Sequence, residues 1–406
     1  MKPRRCKKIS FVFTLALTLV ILPHIVAAQD DLEKFKKEEE KGLQQEEQAF
    51  LQYKAEITKQ YDEYVAEQER LFKEYTGQIE KKWRSKKTET STKKSYVAYD
   101  ATFSSRSKID FEKGTATVEV LVTEAEAKNT SLIQQKLKEQ VAKIVTTKGG
   151  DDPLEKRSNI PPEPKPLIAD QVQTKDGKPV TEQTAKQFAE QTVQPAVVMQ
   201  EVVQGKDGIK RVVLSVQMPL VPNHVKKRAA DFKVQVQKEA SRFGIDVTLV
   251  FAIVHTESFF NPKARSHVPA YGLMQLVPKS GARDAYFFVF KKDSLVTGEY
   301  LYAPNHNIEL GAGYLTKLLT VDFRGVSDPK SRIYCAISAY NTGPGNVAKA
   351  FTGKRNVFQA LPKINGMTSD EVFDHLKKNL PFEETRHYIA TVTGRMGMYA
   401  EWAGAN

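Results

Sequence analysis

The chain has 406 residues, 40% of them hydrophobic, and a formal net charge of +12. That size excludes a minimal scaffold and leaves room for two or three structural units. The positive balance fits an anionic partner such as a wall polymer with carboxylated peptides or a membrane surface, while the lack of any Arg/Lys cluster interleaved with aromatics sets nucleic acid aside.

Met1 to Lys8 carries five positive charges and no acid, and an apolar run from Ile9 to Ile25 leads to Val26-Ala27-Ala28. This pattern predicts a secretory signal over 1–28, cleaved near Ala28, and hence an exported, periplasmic protein. An uncleaved anchor is the alternative; Pro23 and the small-residue exit favour cleavage. Without those five charges the net charge is +7. Cys6 leaves with the signal, so Cys335 cannot form an internal disulfide and is read as a small buried apolar residue. No cysteine follows the apolar run, so a lipid anchor of the bacterial lipoprotein kind is not expected.

From Leu32 to Trp83 the sequence is rich in Glu, Lys and Gln and free of proline. Phe50, Tyr53, Ile57, Tyr61, Tyr64, Leu71, Tyr75, Ile79 and Trp83 recur mostly at steps of three or four, which predicts a long amphipathic helix over 29–90. Its aromatic stripe fits an intramolecular packing helix or a coiled-coil oligomer, with peripheral membrane or cell-wall protein contact through Leu32 to Trp83 as a further option.

The region 91–222 reads as a small α+β module. Lys108 to Val122 holds two alternating runs joined at Glu112-Lys113-Gly114, a β-hairpin. Ser131 to Val145 is an amphipathic helix with Leu132, Ile133, Leu137, Val141 and Ile144 on one face. Five prolines break regular structure between Asp151 and Pro166. Val197 to Val203 and Lys210 to Met218 form a second strand pair about Lys206-Asp207-Gly208.

From 223 to 406 the pattern is helical throughout. His224 to Phe243 reads as one basic amphipathic helix stopped by Gly244, and Asp246 as the N-cap of a helix from Val247 to Glu257. The interior of that helix, Leu249-Val-Phe-Ala-Ile-Val254, is apolar on all sides and belongs in a core. Glu257 at its end, with Phe259 and Phe260 beyond, is expected to be partly desolvated, which raises its pKa toward the range of a general acid. The local residues fit equally well a Glu that faces solvent before the Asn261-Pro262 turn.

Five segments decide between these readings. Glu257-Ser-Phe-Phe-Asn-Pro262, Ala270-Tyr-Gly-Leu-Met-Gln-Leu-Val-Pro278, Asn307-Ile-Glu-Leu-Gly-Ala-Gly-Tyr-Leu315, Ala339-Tyr-Asn-Thr-Gly-Pro-Gly345 and Glu384-Thr-Arg-His-Tyr388 occur in this order. Together they resemble the family-1 soluble-type lytic transglycosylase (SLT) domain, with its goose-lysozyme-like helical fold. The segments Tyr96 to Val122 and Val216 to Ala229 look, in addition, like the membrane-bound lytic transglycosylase C type, which places an α+β domain before the catalytic one. The expected fold class is therefore α+β multidomain: an all-α lysozyme-like catalytic domain at the C-terminus, preceded by a long helix and a small α+β module.

The resemblance implies Glu257 as the catalytic acid/base and Ser258 as part of the same motif. It implies that Gly272, Leu273, Met274 and Gln275 shape the floor around a saccharide, Gln275 offering its amide. Tyr340 and Asn341 would line the cleft, and Tyr388 would place its hydroxyl near the carboxylate. By residue type alone, Met274, Tyr340 and Tyr388 are also ordinary core residues. The implied partner is the peptidoglycan glycan strand.

Most glycosidases use two carboxylates, and these motifs offer one. Asp284, Glu299 and Glu309 lie between them and are read as surface or capping residues. A single acid/base suffices if the sugar's own 6-hydroxyl is the nucleophile, giving a 1,6-anhydro product and a carbon–oxygen lyase; such an internal attack has an effective molarity on the order of 10⁵ M or more. No cofactor is expected, and the seven histidines, with no close pair at ligand spacing, give no metal site. A goose-type muramidase on the same fold and a non-catalytic wall-binding scaffold are the alternatives. Asp284 to Pro304, aromatic-rich, is the segment expected to wall one side of the cleft.

Overall fold

The computed structural model describes residues 10–84, 88–194, 199–266 and 270–403, with the side chains of 10–33 left aside. Of the segment 1–28 read as a signal, residues 1–9 lie outside what is described and 10–28 are described as helical backbone alone; Val197 and Val198 of the second strand pair also lie outside. The chain divides into two units, 1–63 and 64–406. Among the described residues, no helix is long and apolar enough to cross a membrane.

The first long element is helix α1, Ser10–Lys82, and among the described residues the first unit consists of its leading part. There the apolar stripe is exposed at Phe50 and Tyr53 and becomes buried at Tyr61. In the second unit the same stripe packs on a sheet. Leu71, Tyr75, Ile79 and Trp83 share a cluster with Val97, Tyr99, Leu121, Val203 and Val213, which belong to one face of a sheet.

That sheet comprises β1 (Ser95–Tyr99), β2 (Ser105–Asp110), β3 (Thr115–Val122), β4 (Met199–Gln204) and β5 (Lys210–Pro219), antiparallel and ordered β1-β2-β3-β5-β4. The β2–β3 hairpin pairs Asp110 with Thr115. Its turn closes where Asp110 accepts from the Lys113 and Gly114 amides, with Gly114 at φ 65°, a conformation glycine adopts without strain. Helix α2 (Thr130–Thr146) covers the other face and buries Ile133, Leu137, Val141 and Ile144 among Ile109, Val118 and Val216.

Two short helices lie where the sequence shows only breaks or nothing. The proline-rich stretch contains α3 (Pro153–Arg157), started by Pro153 at its first turn and capped by Asp152, whose carboxylate accepts from the Leu154 amide. Helix α4 is Ala185–Thr192. Asp152 and Glu155 are both buried here, bonded by the Tyr75 and Tyr96 hydroxyls at 2.7 and 2.9 Å.

The rest is helical: α5 (His224–Asp231), α6 (Lys233–Phe243), α7 (Val247–Ser258), α8 (Arg283–Phe290), α9 (Gly298–Tyr302), α10 (Pro304–Lys317), α11 (Pro329–Thr342), α12 (Pro344–Thr352), α13 (Val357–Asn365), α14 (Ser369–Asn379) and α15 (Glu383–Met396). The single helix expected from His224 to Phe243 is thus two, broken at Phe232. Of the residues this stretch buries, α5 contributes His224, Arg228 and Ala229, and α6 contributes Val236, Glu239 and Ala240. Gly244 at φ 65° ends α6 as expected. Cys335 is fully buried in α11, and burial pushes its thiol up to about 12.

Burial, reinforced by Asp152, pushes the Glu155 carboxyl up to about 7 against an ordinary 4.5. Between those values the folded state keeps a proton that the unfolded state has released, so stability falls as pH rises through that window. Calorimetric melting of the intact protein should show a Tm that drops from pH 4.5 to 7, and Glu155→Gln should flatten the drop; an unchanged slope in the variant would locate the effect elsewhere.

Candidate active site

Helix α7 is capped by Asp246, whose carboxylate accepts from the Thr248 amide at 2.8 Å, and every residue from Thr248 to Ser258 except Thr256 is buried. Such a helix has no solvent face, so its last turn emerges inside the protein. Phe259 and Phe260 then turn the chain sharply at φ 51° and 59°, a left-handed conformation that is strained for an aromatic residue and persists only where surroundings fix it. They are fixed by opposite sides: Phe259 packs into the sheet's core and Phe260 into the helical core.

Three cations hold Phe259. Arg228, itself buried, donates to the Phe259 carbonyl at 2.9 Å and to the Phe111 carbonyl at 3.1 Å, and it also bonds Gln171. Lys94 and Arg395 sit over the Phe259 ring at 5.2 and 4.8 Å. Burial lowers the Arg228 guanidinium to about 9, still charged near neutral pH.

Glu257 is thereby presented, 5% exposed, at the base of a cleft of about 710 Å³. Burial pushes its carboxyl above the ordinary value; Lys93 and the Tyr388 hydroxyl pull against that, and Glu384 adds a smaller push. Lys93 Nζ lies 3.7 Å from Glu257 and 3.5 Å from Glu384. Three polar atoms of this region are buried without a hydrogen-bond partner: Gln275 Oε1, Asn346 Oδ1 and the Tyr388 hydroxyl, which faces Glu257 without ordinary bonding geometry. Orphaned groups in a wet cleft are where a polar ligand bonds.

Glu257, Gln275, Tyr340 and Asn341 line this cleft, and Tyr388 stands buried behind the acid. Ser258, Gly272, Leu273 and Met274 do not line it; they form the wall's frame. Ser258 Oγ lies 2.7 Å from the Leu273 carbonyl. Asn307, wholly buried, donates to the Tyr271 and Leu301 carbonyls and accepts from the Met274 amide at 2.7 Å. Tyr340 donates to the Met274 carbonyl at 2.8 Å, and Asn341 accepts from Thr385 at 2.6 Å. Gln275 holds its loop with its own amide nitrogen, donating to Ala264 and Gly272, so its free atom is an acceptor.

Other residues at the cleft were not singled out from the sequence: Lys93, Ser280, Tyr314, Asn346, Phe382, Glu384 and Thr385. Glu384 and Thr385 stand in a quoted motif, but nothing local to Lys93 marks it. Asp284 to Pro304, expected as a wall, supplies α8 and α9 and none of the cleft lining; Val277, Ser280 and Gly281 stand there instead. Asp284 and Glu309 pair with Lys317 and Arg242, away from the cleft. Among the described residues, no three His, Cys, Asp or Glu gather as metal ligands.

A lone buried carboxylate beside a polar groove is a glycan-cleaving type of site, and the family model described as "Transglycosylase SLT domain" matches residues 235–360. The model described as "Membrane-bound lytic murein transglycosylase C, N-terminal domain" matches 44–231. The membrane-bound lytic murein transglycosylase C of Cronobacter sakazakii is 33% identical over 336 residues, 81% of this chain and 88% of its own. That of Yersinia enterocolitica is 33% identical over 335 residues, with the same two shares. A solved lytic transglycosylase Slt from Pseudomonas aeruginosa is 30% identical over 41% of this chain and 24% of its own, with a TM-score of 0.32. The chain belongs to the membrane-bound lytic murein transglycosylase C family, as the five segments and the Tyr96 to Val122 stretch imply. The expectation that no lipid anchor is present draws no support from relatives named membrane-bound.

Gly272, at φ 75°, leaves no room for a Cβ, which would meet the Leu301 carbonyl and the Asn307 amide. Gly272→Ala should therefore destabilise the protein by about 2 kcal/mol or more, measured by denaturant unfolding, and distort the Gln275 wall. A neutral effect would mean the frame gives way easily.

Proposed function

We propose that the protein cleaves the β-1,4 bond between N-acetylmuramic acid and N-acetylglucosamine in peptidoglycan without water, using Glu257 first as acid and then as base. The supporting observation is the single deeply buried carboxyl at the cleft, raised in pKa, with unpartnered polar atoms around it. Glu257 gives its proton to the glycosidic oxygen as the C1–O bond breaks, and the neighbouring acetamido group stabilises the cationic C1. The Glu257 carboxylate then takes the proton of the sugar's own 6-hydroxyl, whose oxygen bonds C1; the acid is restored and a 1,6-anhydro end results.

In this reading the Gln275 acceptor receives a donor from the sugar. Tyr340 and Asn341 flank the saccharide, and Tyr388 steadies the carboxylate as it forms. Ser258, Gly272, Leu273 and Met274 act by holding that wall. The chain would divide functionally into a signal (1–28), a helix (29–90), an α+β domain (91–222) and the catalytic domain (223–406), and work in the periplasm at the cell envelope. Exposed Phe50 and Leu51 support peripheral contact of the long helix with the membrane or a wall protein.

One observation keeps a muramidase in view: Glu384 is an exposed carboxylate on the far side of Lys93 from Glu257, open to a water. Products decide between the two. Digests of purified peptidoglycan analysed by mass spectrometry should contain muropeptides one water lighter than reducing-end species, lost by more than a hundredfold in Glu257→Gln at an unchanged melting temperature. Reducing ends as the main product would favour hydrolysis through Glu384, and undiminished activity in Glu257→Gln would remove the acid/base assignment.

A further inference from the structure

Lys93 comes from outside the helical region that carries the other cleft residues. It stands at the tip of a tight turn before β1, closed by the Thr92 amide on the Ser95 carbonyl at 3.0 Å and by their hydroxyls at 2.9 Å. Ser91 braces the turn by bonding both the amide and the carbonyl of Val97. The next residue, Lys94, is tied to Glu112 at 2.6 Å and lies over Phe259. These bonds tie down the turn's backbone and its other side chains, and none of them involves the Lys93 side chain.

Its ammonium contacts Glu257 and Glu384 at 3.7 and 3.5 Å, both longer than a hydrogen bond, so the attraction is Coulombic and easily exchanged. Lys93 also lines a second groove of about 370 Å³, with Phe72, Thr90, Lys94, Arg265 and Ser266. Lys93 and Ser266 border both spaces, so a strand whose sugar occupies the main cleft can send its peptide stem across Lys93 into the second. Arg265 there lies over the Phe72 ring at 5.2 Å, and Glu69 is the groove's one acid among the described residues.

A lasting pair between Lys93 and Glu257 would hold the acid in its ionised form, which cannot donate a proton. Of the other groups facing Glu257, Tyr340 of α11 and Tyr388 of α15 are kept neutral by burial, and Glu384 of α15 is exposed. Among the described residues, Lys93 is thus the cation whose departure changes the acid. We propose that Lys93 is a specificity-determining residue: it pairs with Glu257 and Glu384 in the empty cleft and passes to a free carboxylate of the substrate's peptide stem on binding, releasing Glu257 to carry its proton. This rests on the reading of Glu257 as the acid.

The test uses soluble peptidoglycan oligomers with native stems and the same oligomers with stem carboxylates capped as methylamides by carbodiimide coupling. The readout is the alkaline limb of kcat, which reports the complex. For the wild type, the limb on native oligomers should lie about one pH unit above that on capped ones. In Lys93→Met the two limbs should coincide at the higher position, with KM for native oligomers raised several-fold, and Lys93→Arg should restore the separation. Coincident limbs in the wild type, or a separation that survives in Lys93→Met, would overturn the proposal. If the wild type releases no anhydro-ended product from either substrate, the acid/base reading falls first and the proposal with it.

Discussion

Two consecutive aromatic residues, Phe259 and Phe260, bind the architecture of this protein together. One enters the core beneath the sheet and the other the core of the helical region, and the backbone between them is strained in order to do so. Strain of this kind persists only where neighbours over-determine it. Arg228 on the Phe259 carbonyl, with Lys94 and Arg395 on its ring, supplies that constraint. Since Glu257 lies two residues upstream, the same contacts fix the depth at which its carboxyl sits.

That position creates the electrostatic problem the site works with. A carboxyl so deeply buried prefers to be neutral, as a proton donor must be, yet the nearest cation favours its charge. The conflict stays mild because the ammonium is a third exposed and beyond bonding distance. Depth and the nearby cation thus act on the Glu257 carboxyl in opposite directions, burial being the larger influence.

Much of this was legible in the residues. The all-apolar Leu249 to Val254 run reads as a core helix and Asp246 as its N-cap, as the structure has them, and five ordered segments single out Glu257. Periodicity also located the hairpin and α2. What escaped depends on contacts between segments far apart in the chain. Lys93 is an unremarkable residue in a Lys-Lys pair until the fold lays its turn against α7. The continuous pattern from His224 to Phe243 hides the break at Phe232, because the buried residues of both halves keep helical spacing across it. Ser258, Gly272, Leu273 and Met274 belong to the motif, yet they stand in the wall's frame instead of lining the cleft, Ser258 through its hydroxyl and the other three through backbone atoms; a motif does not separate residues that line a cleft from those that hold its wall. The proline-rich stretch hid α3 for a similar reason, since Pro153 is a helix start as readily as a break.

Burial, against the pull of Lys93, raises the Glu257 carboxyl above its ordinary value. A carbon-13 NMR titration of the side-chain carboxyls in the substrate-free protein tests this most directly, with the Glu257 resonance assigned by its loss in Glu257→Gln. A midpoint clearly above the ordinary 4.5 is expected. A midpoint at or below 4.5 would mean that Lys93 outweighs burial, and that the geometry described here does not prepare an acid.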